Sequence, residues 1–336
     1  MSDHLTPKNT IPDYEEAEFI HLLKQILGEV PYGRDQHADR LERRFNEIIQ
    51  HPGGTDLIYW PEDGADSSAE GITEEIKKWR EANGLPGFKV SDSPYQPPKW
   101  DLPGSMGIQE IKRLLVRPAT KLIAGGFRPT HQNDESWLGK VFLFRPDEEV
   151  PQKASGEKLY PYAQFYLPNL PFISPMLKDV SVLTLFVSEP LPDALEPMGN
   201  NWVIREYGPD DVLVRKDLPV AGSTLEPFPL KPEFVAEDLP LWDGEDIPGY
   251  LAAEIIALED AGEIEGHDDF GAHTYDHKIG GYPSFCQSGI SPGEDFEFVF
   301  QISSDPKINL NVVDSGSLMF WKNRISGEWA IYYDFY

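Results

Sequence analysis

His51-Pro52-Gly53-Gly54-Thr55-Asp56-Leu57-Ile58-Tyr59-Trp60-Pro61 decides how the first ninety residues fold. Pro52, Gly53 and Gly54 end the apolar periodicity that precedes them, because none of the three continues a helix cheaply. Thr55 can cap a new turn carrying Asp56, Leu57, Ile58, Tyr59 and Trp60, and Pro61 stops it. The stretch therefore predicts a helix of little more than one turn between longer ones. On its N-terminal side, a helix from about Gln36 to Gln50 turns Leu41, Phe45, Ile48 and Ile49 inward. That leaves Asp35, Asp39, Glu42 and Asn46 at three- or four-residue spacing, gathered in one polar stripe. Earlier still, Asp13 to Leu27 reads as a helix capped by Thr10 or Asp13, apolar at Phe19, Leu22, Leu23, Ile26 and Leu27, and ended by Gly28 and Pro31. On the C-terminal side, Ser67 and Ser68 precede a helix from about Ala69 to Asn83, with Ile72, Ile76 and Trp79 as its buried stripe and Gly84 as terminator. Residues 1–90 are expected to form a four-helix, all-α unit.

A chain of 336 residues with 40% hydrophobic content can bury a substantial core in two or three domains. Its 57 acidic and 29 basic side chains give a formal charge of -28, which opposes the phosphate neutralisation that nucleic-acid binding needs. The excess is not one acidic tail: residues 1–90 hold 18 acids against 10 bases, and residues 91–336 hold 39 against 19. A cationic protein partner fits this balance, as does plain solubility. A single cysteine, Cys286, excludes an internal disulfide framework. No basic start followed by an apolar run and no uninterrupted apolar segment near 18 residues is present, so neither secretion nor a membrane-spanning helix is expected, and cytoplasmic residence is the default.

Residues 91–105 contain Pro94, Pro97, Pro98, Pro103 and Gly104 and read as an extended linker. Beyond it, helical periodicity at Ile108 to Val116 and Tyr250 to Ala261 interrupts short apolar runs, among them residues 141–144, 182–187 and 298–302, separated by Gly and Pro turns. Residues 106–336 are therefore expected to be an α+β domain. Ala163-Gln164-Phe165, followed by Leu183-Thr184-Leu185-Phe186-Val187, is echoed by Phe300-Gln301-Ile302, followed by Leu318-Met319-Phe320-Trp321. This suggests two quasi-repeated β-rich halves, packed as two similar sheets after an ancient duplication, or a chance likeness between strands. An inward glutamine needs partners, which cross-strand amide bonding can supply.

Tyr59 and Trp60 cannot both face one core, since consecutive helical positions point about 100 degrees apart. Aromatic rings at a surface are frequent interface anchors, and Asp56, Glu62, Asp63 and Asp66 with Asp35, Asp39 and Glu42 add the anionic layer that speeds encounter with a basic protein. The competing reading is that the two rings close a small helical core and the acids solvate it.

Asp13-Tyr14-Glu15-Glu16-Ala17-Glu18-Phe19, His51-Pro52, Gly54 through Pro61, Glu70-Gly71-Ile72, and Trp79-Arg80-Glu81-Ala82-Asn83-Gly84-Leu85-Pro86-Gly87-Phe88-Lys89 together resemble the immunity proteins of nuclease colicins and pyocins. The resemblance covers nearly all of residues 10–89. It implies a distorted four-helix bundle that neutralises the HNH-type DNase domain of a cognate bacteriocin by binding beside the catalytic groove and excluding DNA sterically and electrostatically. It implies toxin contacts common to the family at Asp56, Tyr59 and Trp60, and partner-selecting contacts at Asp35, Ala38, Asp39, Glu42 and Asn46. Two departures stand out: Trp60 replaces the usual tyrosine, and Asn46 occupies a position commonly glutamate. The implied function needs no catalytic residue, cofactor or metal, and the implied partner is a basic DNase domain, with no direct contact to nucleic acid or membrane.

Residues near 139–336 resemble the YwqG-like domain family through His277-Lys278-Ile279-Gly280-Gly281-Tyr282-Pro283, Gln287, Phe300-Gln301-Ile302, Gly316 through Trp321, and Trp329 through Asp334. Gly156 through Leu159, Ala163-Gln164-Phe165 and Leu170-Pro171 look like the matching first half, where only Gly139 remains of the glycine signature. Gly280-Gly281 suits a tight turn or a ligand rim and is no phosphate loop. His267, Asp268, Asp269, His273, Asp276 and His277 read as a metal site of unfamiliar spacing, a solvated loop or a contact surface. Cys286 reads as a structural thiol or, with His277, a catalytic pair. These leave two further function classes open: a metal-dependent or hydrolytic enzyme in the second domain with the first as its targeting module, or a two-domain interaction scaffold.

Overall fold

The computed structural model describes residues 8, 10–28, 38–61, 64–90, 95, 106–218, 220–244, 246–293 and 295–336, with residues 38–40 as backbone alone. The chain divides into two compact units, residues 1–111 with 248–267 and residues 112–247 with 268–336. Among the described residues no helix is long and apolar enough to cross a membrane.

The first unit is helical: α1 (Glu16–Ile26), α2 (Ala38–Ile49), α3 (Asp56–Tyr59) and α4 (Ala69–Ala82), followed by α5 (Ile108–Leu115), which runs over the boundary between units, and α6 (Gly249–Asp260). The stripes read from the sequence meet in one core of Phe19, Leu22, Leu23, Leu41, Phe45, Ile48, Ile49, Ile58, Ile72 and Ile76, except that Trp79, expected in the α4 stripe, is half-buried and lies outside it, with Arg80 buried in its place. Phe19 stacks on Phe45 at 6.0 Å and touches Phe88 at 5.2 Å, so the chain leaving α4 is part of this core. Its return is fixed by the Lys89 amide, which donates to the Tyr14 carbonyl at 2.8 Å.

The single helix expected from Asp13 is instead a 3-10 turn at Ile11–Asp13, an extended Tyr14, and a helix that starts at Glu16. Side chains cause the break. The Asp13 carboxylate turns back to accept from the Thr10 amide and hydroxyl at 3.0 and 2.7 Å, and the Glu18 carboxylate accepts from the Glu15 amide at 3.3 Å. At α4, the Ser68 hydroxyl accepts from the Gly71 amide at 3.0 Å, and Asp66 accepts from the Ser68 amide at 3.0 Å. A Cβ at Gly71 would lie 2.3 Å from the Asp66 carbonyl, which is why the position is glycine.

The second unit is built on strands β1 (Arg117–Ala124), β2 (Trp137–Leu138), β3 (Leu143–Phe144), β4 (Tyr160–Tyr166), β5 (Val182–Val187), β6 (Trp202–Tyr207), β7 (Val214–Arg215), β8 (Phe228–Asp238), β9 (Lys278–Gly280), β10 (Phe296–Ser303), β11 (Ser317–Asn323) and β12 (Trp329–Asp334). Ten of them form one sheet in the order β12-β11-β10-β9-β1-β8-β2-β4-β5-β6, and β3 pairs with β7 separately. β5 is buried along its whole length, in keeping with an apolar run that only Thr184 interrupts.

One continuous sheet thus replaces the expected two. The long β1–β8 pairing, in which Thr120 faces Phe234 and Leu122 faces Pro232, carries hydrogen bonding straight across the middle. The sheet encloses a single large core in which Phe165 meets Phe300 at 5.5 Å and Trp202 meets Phe320 at 6.1 Å. Its end strands also approach each other. The Trp329 indole on β12 donates to Glu206 on β6 at 2.8 Å, Lys322 pairs with Glu206 at 2.6 Å, and the Leu195 amide donates to the Ile331 carbonyl at 2.9 Å.

Both glutamines lie wholly inside, as their sequence setting requires, but their partners are backbone groups and, for Gln301, the Ser284 and Ser303 hydroxyls, rather than another amide. Gln164 Oε1 accepts from the Phe142 and Leu143 amides at 3.0 and 2.9 Å, and Gln301 Oε1 accepts from the Ser284 amide at 3.0 Å. Each satisfied amide fixes the loop that follows a two- or three-residue strand, β2 or β9.

Candidate protein-binding surface

α2 ends at Ile49, and the turn that follows is fastened from several sides. His51 Nδ1 accepts from the Gly53 amide at 3.0 Å while its ring stands edge-on to Trp79 at 4.9 Å. Gly54 has φ of 50°, and a Cβ there would sit 2.5 Å from Asn46 Oδ1, so glycine is needed both for backbone conformation and for close approach to α2. Beneath the turn lies Arg80, only 3% exposed. Its guanidinium donates to the Pro86 carbonyl through Nε and Nη2 at 3.0 and 2.8 Å and to the Ile49 carbonyl through Nη1 at 3.3 Å. Burial holds its pKa below the usual range for arginine. This clamp ties the end of α2 to the exit from α4 and so fixes where α3 begins.

On α3, Ile58 alone is buried. Asp56 opens the helix and is exposed; Tyr59 and Trp60 are 50% and 80% exposed. The reading in which both rings close the helical core is therefore incorrect, since Ile58 supplies that contact. The Tyr59 hydroxyl donates to Glu42 Oε1 on α2, joining the aromatic pair to the polar stripe. Asn46 is exposed and Glu42 half-buried on that stripe. Ala38 and Asp39 lie in the first turn of α2, their side chains outside the described residues, as are Asp35, Glu62 and Asp63 in full. Asp66 is exposed, and its hydrogen bonds from Ser68 hold its carboxyl below the usual carboxylate range. Sequence reading missed Arg80 as a clamp, although it stands in the quoted segment next to Trp79; a buried arginine bound to backbone carbonyls leaves no periodic trace.

A family model described as "Colicin immunity protein / pyocin immunity protein" matches residues 11–82. The Pyocin-S2 immunity protein of Pseudomonas aeruginosa is 33% identical over 85 residues, which are 25% of this chain and 98% of that protein. The chain belongs to the colicin and pyocin immunity protein family. The Pyocin-S1 immunity protein of the same species is 32% identical over the same share of each. Among solved structures, a chain of the pyocin AP41 DNase-Immunity complex is 36% identical over 25% of this chain and 100% of its own, with a TM-score of 0.22. The immunity-family segment contains α1 to α4 and therefore the whole surface described above.

The second unit has a different polar centre. Lys278, fully buried, donates to Asp238 Oδ2 at 2.8 Å and to the Thr274 carbonyl at 2.5 Å, and lies 3.4 Å from His273 Nε2. Burial pushes its pKa down to about 8 against the pull of Asp238. His273 reaches the Leu239 carbonyl at 2.6 Å and the Ser284 hydroxyl at 2.7 Å. Gly281 exists for this arrangement: a Cβ would lie 2.1 Å from Asp238 Oδ2. Gly280 likewise has the Phe172 ring 2.3 Å from where its Cβ would be, so the glycine pair serves a tight structural turn. His277 is bound elsewhere, to Asp305 at 3.4 Å and to the Ser303 amide at 3.0 Å. The Cys286 thiol is pushed up to about 11 by burial and then by Asp334, the opposite of an activated nucleophile. Among the described residues no group of three or more His, Cys, Asp or Glu side chains is placed to hold a metal ion.

Proposed function

We propose that this protein is a bacteriocin immunity protein whose residues 1–90 bind and inhibit the basic HNH-type DNase domain of a cognate toxin. The observation that carries this reading is the pair Tyr59 and Trp60, held outside the core on an anionic one-turn helix within the family-matched segment. In this reading Asp56, Tyr59 and Trp60 make the common contact, and Asp35, Ala38, Asp39, Glu42 and Asn46 select the toxin. Aromatic area supplies most of the affinity and the carboxylates speed encounter and exclude wrong partners. Inhibition requires no chemistry. An acidic body seated beside a cationic DNA groove lowers the local potential and repels phosphate while blocking the approach sterically. Cytoplasmic residence belongs to this proposal, because a DNase inhibitor protects DNA where the DNA is. Calorimetry with the cognate DNase domain tests it: Tyr59→Ala is expected to weaken binding by more than about 2 kcal/mol, and an unchanged affinity would remove Tyr59 as an anchor.

The remaining chain is read as a linker at residues 91–105 and a YwqG-like α+β domain at 106–336 built of two quasi-repeated halves. Several details support the halves. Gly139 and Gly280 both have positive φ and both face a backbone carbonyl, Glu226 at 2.8 Å and Pro118 at 2.9 Å from the Cβ each would carry. The register shifts in β4 and β10 fall at Pro161/Ala163 and Phe298/Phe300, and β6 and β12 each begin with a buried tryptophan. Superposition of residues 137–207 on 278–334 in an experimental structure tests this; failure of Gly139, Gln164 and Trp202 to fall on Gly280, Gln301 and Trp329 would remove it.

A further inference from the structure

In a chain of formal charge -28, lysines have carboxylates in abundance to pair with. Among the described residues of the β-rich unit, the buried and half-buried lysines have each taken an acceptor, with one exception. Lys112, Lys121, Lys153, Lys278 and Lys322 pair with carboxylates, and the Lys216 ammonium donates to the Pro146 and Glu148 carbonyls at 2.8 and 2.6 Å. Half-buried Lys140 makes neither an ion pair nor a hydrogen bond among these residues. Its ammonium lies 5.6 Å from the Trp137 ring and 6.0 Å from the Phe142 ring, at the outer limit of a cation–ring attraction. A partly desolvated ammonium is costly without an acceptor, so one from outside the chain would stabilise it.

Two further donors adjoin the same pair of rings. Trp137 and Phe142 stand edge-on at 6.5 Å and are themselves buried. The guanidinium of exposed Arg215 lies over Phe142 at 4.0 Å and donates from Nη1 to the His131 carbonyl at 3.1 Å, which leaves Nε and Nη2 for another acceptor. The exposed His131 ring stacks on Trp137 at 5.9 Å, and neither ring nitrogen is bonded to a described residue. His131 has φ of 59°, a backbone conformation few non-glycine residues adopt. It is held there by Glu135, which accepts from its amide at 3.1 Å, and by Arg215 on its carbonyl. The Glu135 carboxylate is spent within its own loop, since it also accepts from the Thr130 amide and hydroxyl and from the Trp137 indole. Arg215 is fixed in turn by the pairing of β7 with β3.

We propose that Lys140, Arg215 and His131 form an anion site on the β-rich unit that takes a phosphate monoester. The ammonium, the guanidinium fork and the imidazole are three separate donors; a phosphate monoester presents three strong acceptor oxygens, whereas a carboxylate presents two. Donors already held in place lose little entropy when the ligand arrives. The site lies apart from the α3 surface in sequence and does not rest on the DNase assignment.

Full-length protein titrated at constant ionic strength with inorganic phosphate and, separately, with a short phosphoserine peptide tests this. The readouts are calorimetry and the His131 ring resonances, identified by their loss in His131→Asn. A saturable shift of these resonances is expected with at least one probe: tighter binding of inorganic phosphate assigns the site to the free ion, and tighter binding of the peptide assigns it to a phosphorylated chain. Lys140→Gln and Arg215→Gln are each expected to weaken binding at least about tenfold. Because Lys140 has no partner to lose, Lys140→Gln should keep the parental melting temperature without phosphate and lose the rise that phosphate gives the parent. No saturable shift with either probe, an equal shift with sodium chloride, acetate bound as tightly as phosphate, or a parental Kd in both variants would each overturn the proposal. Failure of Tyr59→Ala to weaken DNase binding would bear only on the other surface.

Discussion

Arg80 and Lys278 are both buried cations that grip backbone carbonyls, but their electrical settings differ. Arg80 meets the carbonyls of Ile49 and Pro86. Lys278 meets the Thr274 carbonyl and, in addition, the fully buried carboxylate of Asp238. A guanidinium is weakly hydrated and spreads its charge over a planar fork, so carbonyl dipoles can hold it. An ammonium is a compact, strongly hydrated charge and, in this sheet, stands beside an anion. The difference teaches that removal of the two cations leaves unlike remainders: unsatisfied dipoles in one case, a stranded charge in the other.

The largest expected effect is at the charge. Lys278→Ala should destabilise the β-rich unit by about 3–5 kcal/mol in denaturant unfolding, since Asp238 is left buried and unpaired. Arg80→Ala should cost the helical unit less, about 2–3 kcal/mol, for two carbonyls left without donors. It should also weaken DNase binding, because the clamp sets the start of α3; an Arg80→Ala variant with parental affinity would limit Arg80 to stability. Smaller still is the double change Lys278→Met with Asp238→Leu, expected within about 1 kcal/mol of the parent or above it. A double variant as unstable as Lys278→Ala would show that the pair matters through its hydrogen bonds rather than its charges. The subtlest contrast is with pH. Lys278 has a folded pKa near 8 against an ordinary 10.5, so between these values the unfolded chain holds more protons and stability contributed by this group rises with pH. Lys278→Met should abolish that rise, measured as the pH dependence of the unfolding midpoint.

The helical unit was legible in the sequence because its signals are local. The stripe Leu41, Phe45, Ile48 and Ile49, the stop at Pro52-Gly53-Gly54 and the serine before Ala69 place α2, α3 and α4 within two residues of their observed bounds. That Tyr59 and Trp60 cannot both be buried followed from helical geometry; that both are exposed did not, since it depends on Ile58 filling the core contact. The Ile11–Asp13 turn did not, since it depends on which backbone amide the Asp13 carboxylate reaches. In the second unit, strands such as Val182–Val187 and the burial of both glutamines could be read from apolar runs. Their assembly into one sheet could not, because β1 and β8 are over a hundred residues apart in sequence and their pairing leaves no local pattern. The meeting of Asp238, His273, Lys278, Ser284 and Gln301 likewise leaves no local pattern, because it joins β8, β9, β10 and the loops beside them.

The approach of β6 and β12 has a consequence for recognition. Open sheet margins invite strand addition, by which a partner's extended segment extends the ladder and by which misfolded copies aggregate. Here the bond from Leu195 to Ile331 and the ties from Glu206 to Trp329 and Lys322 occupy part of both margins. Strand addition to the β-rich unit is thereby hindered where these ties lie.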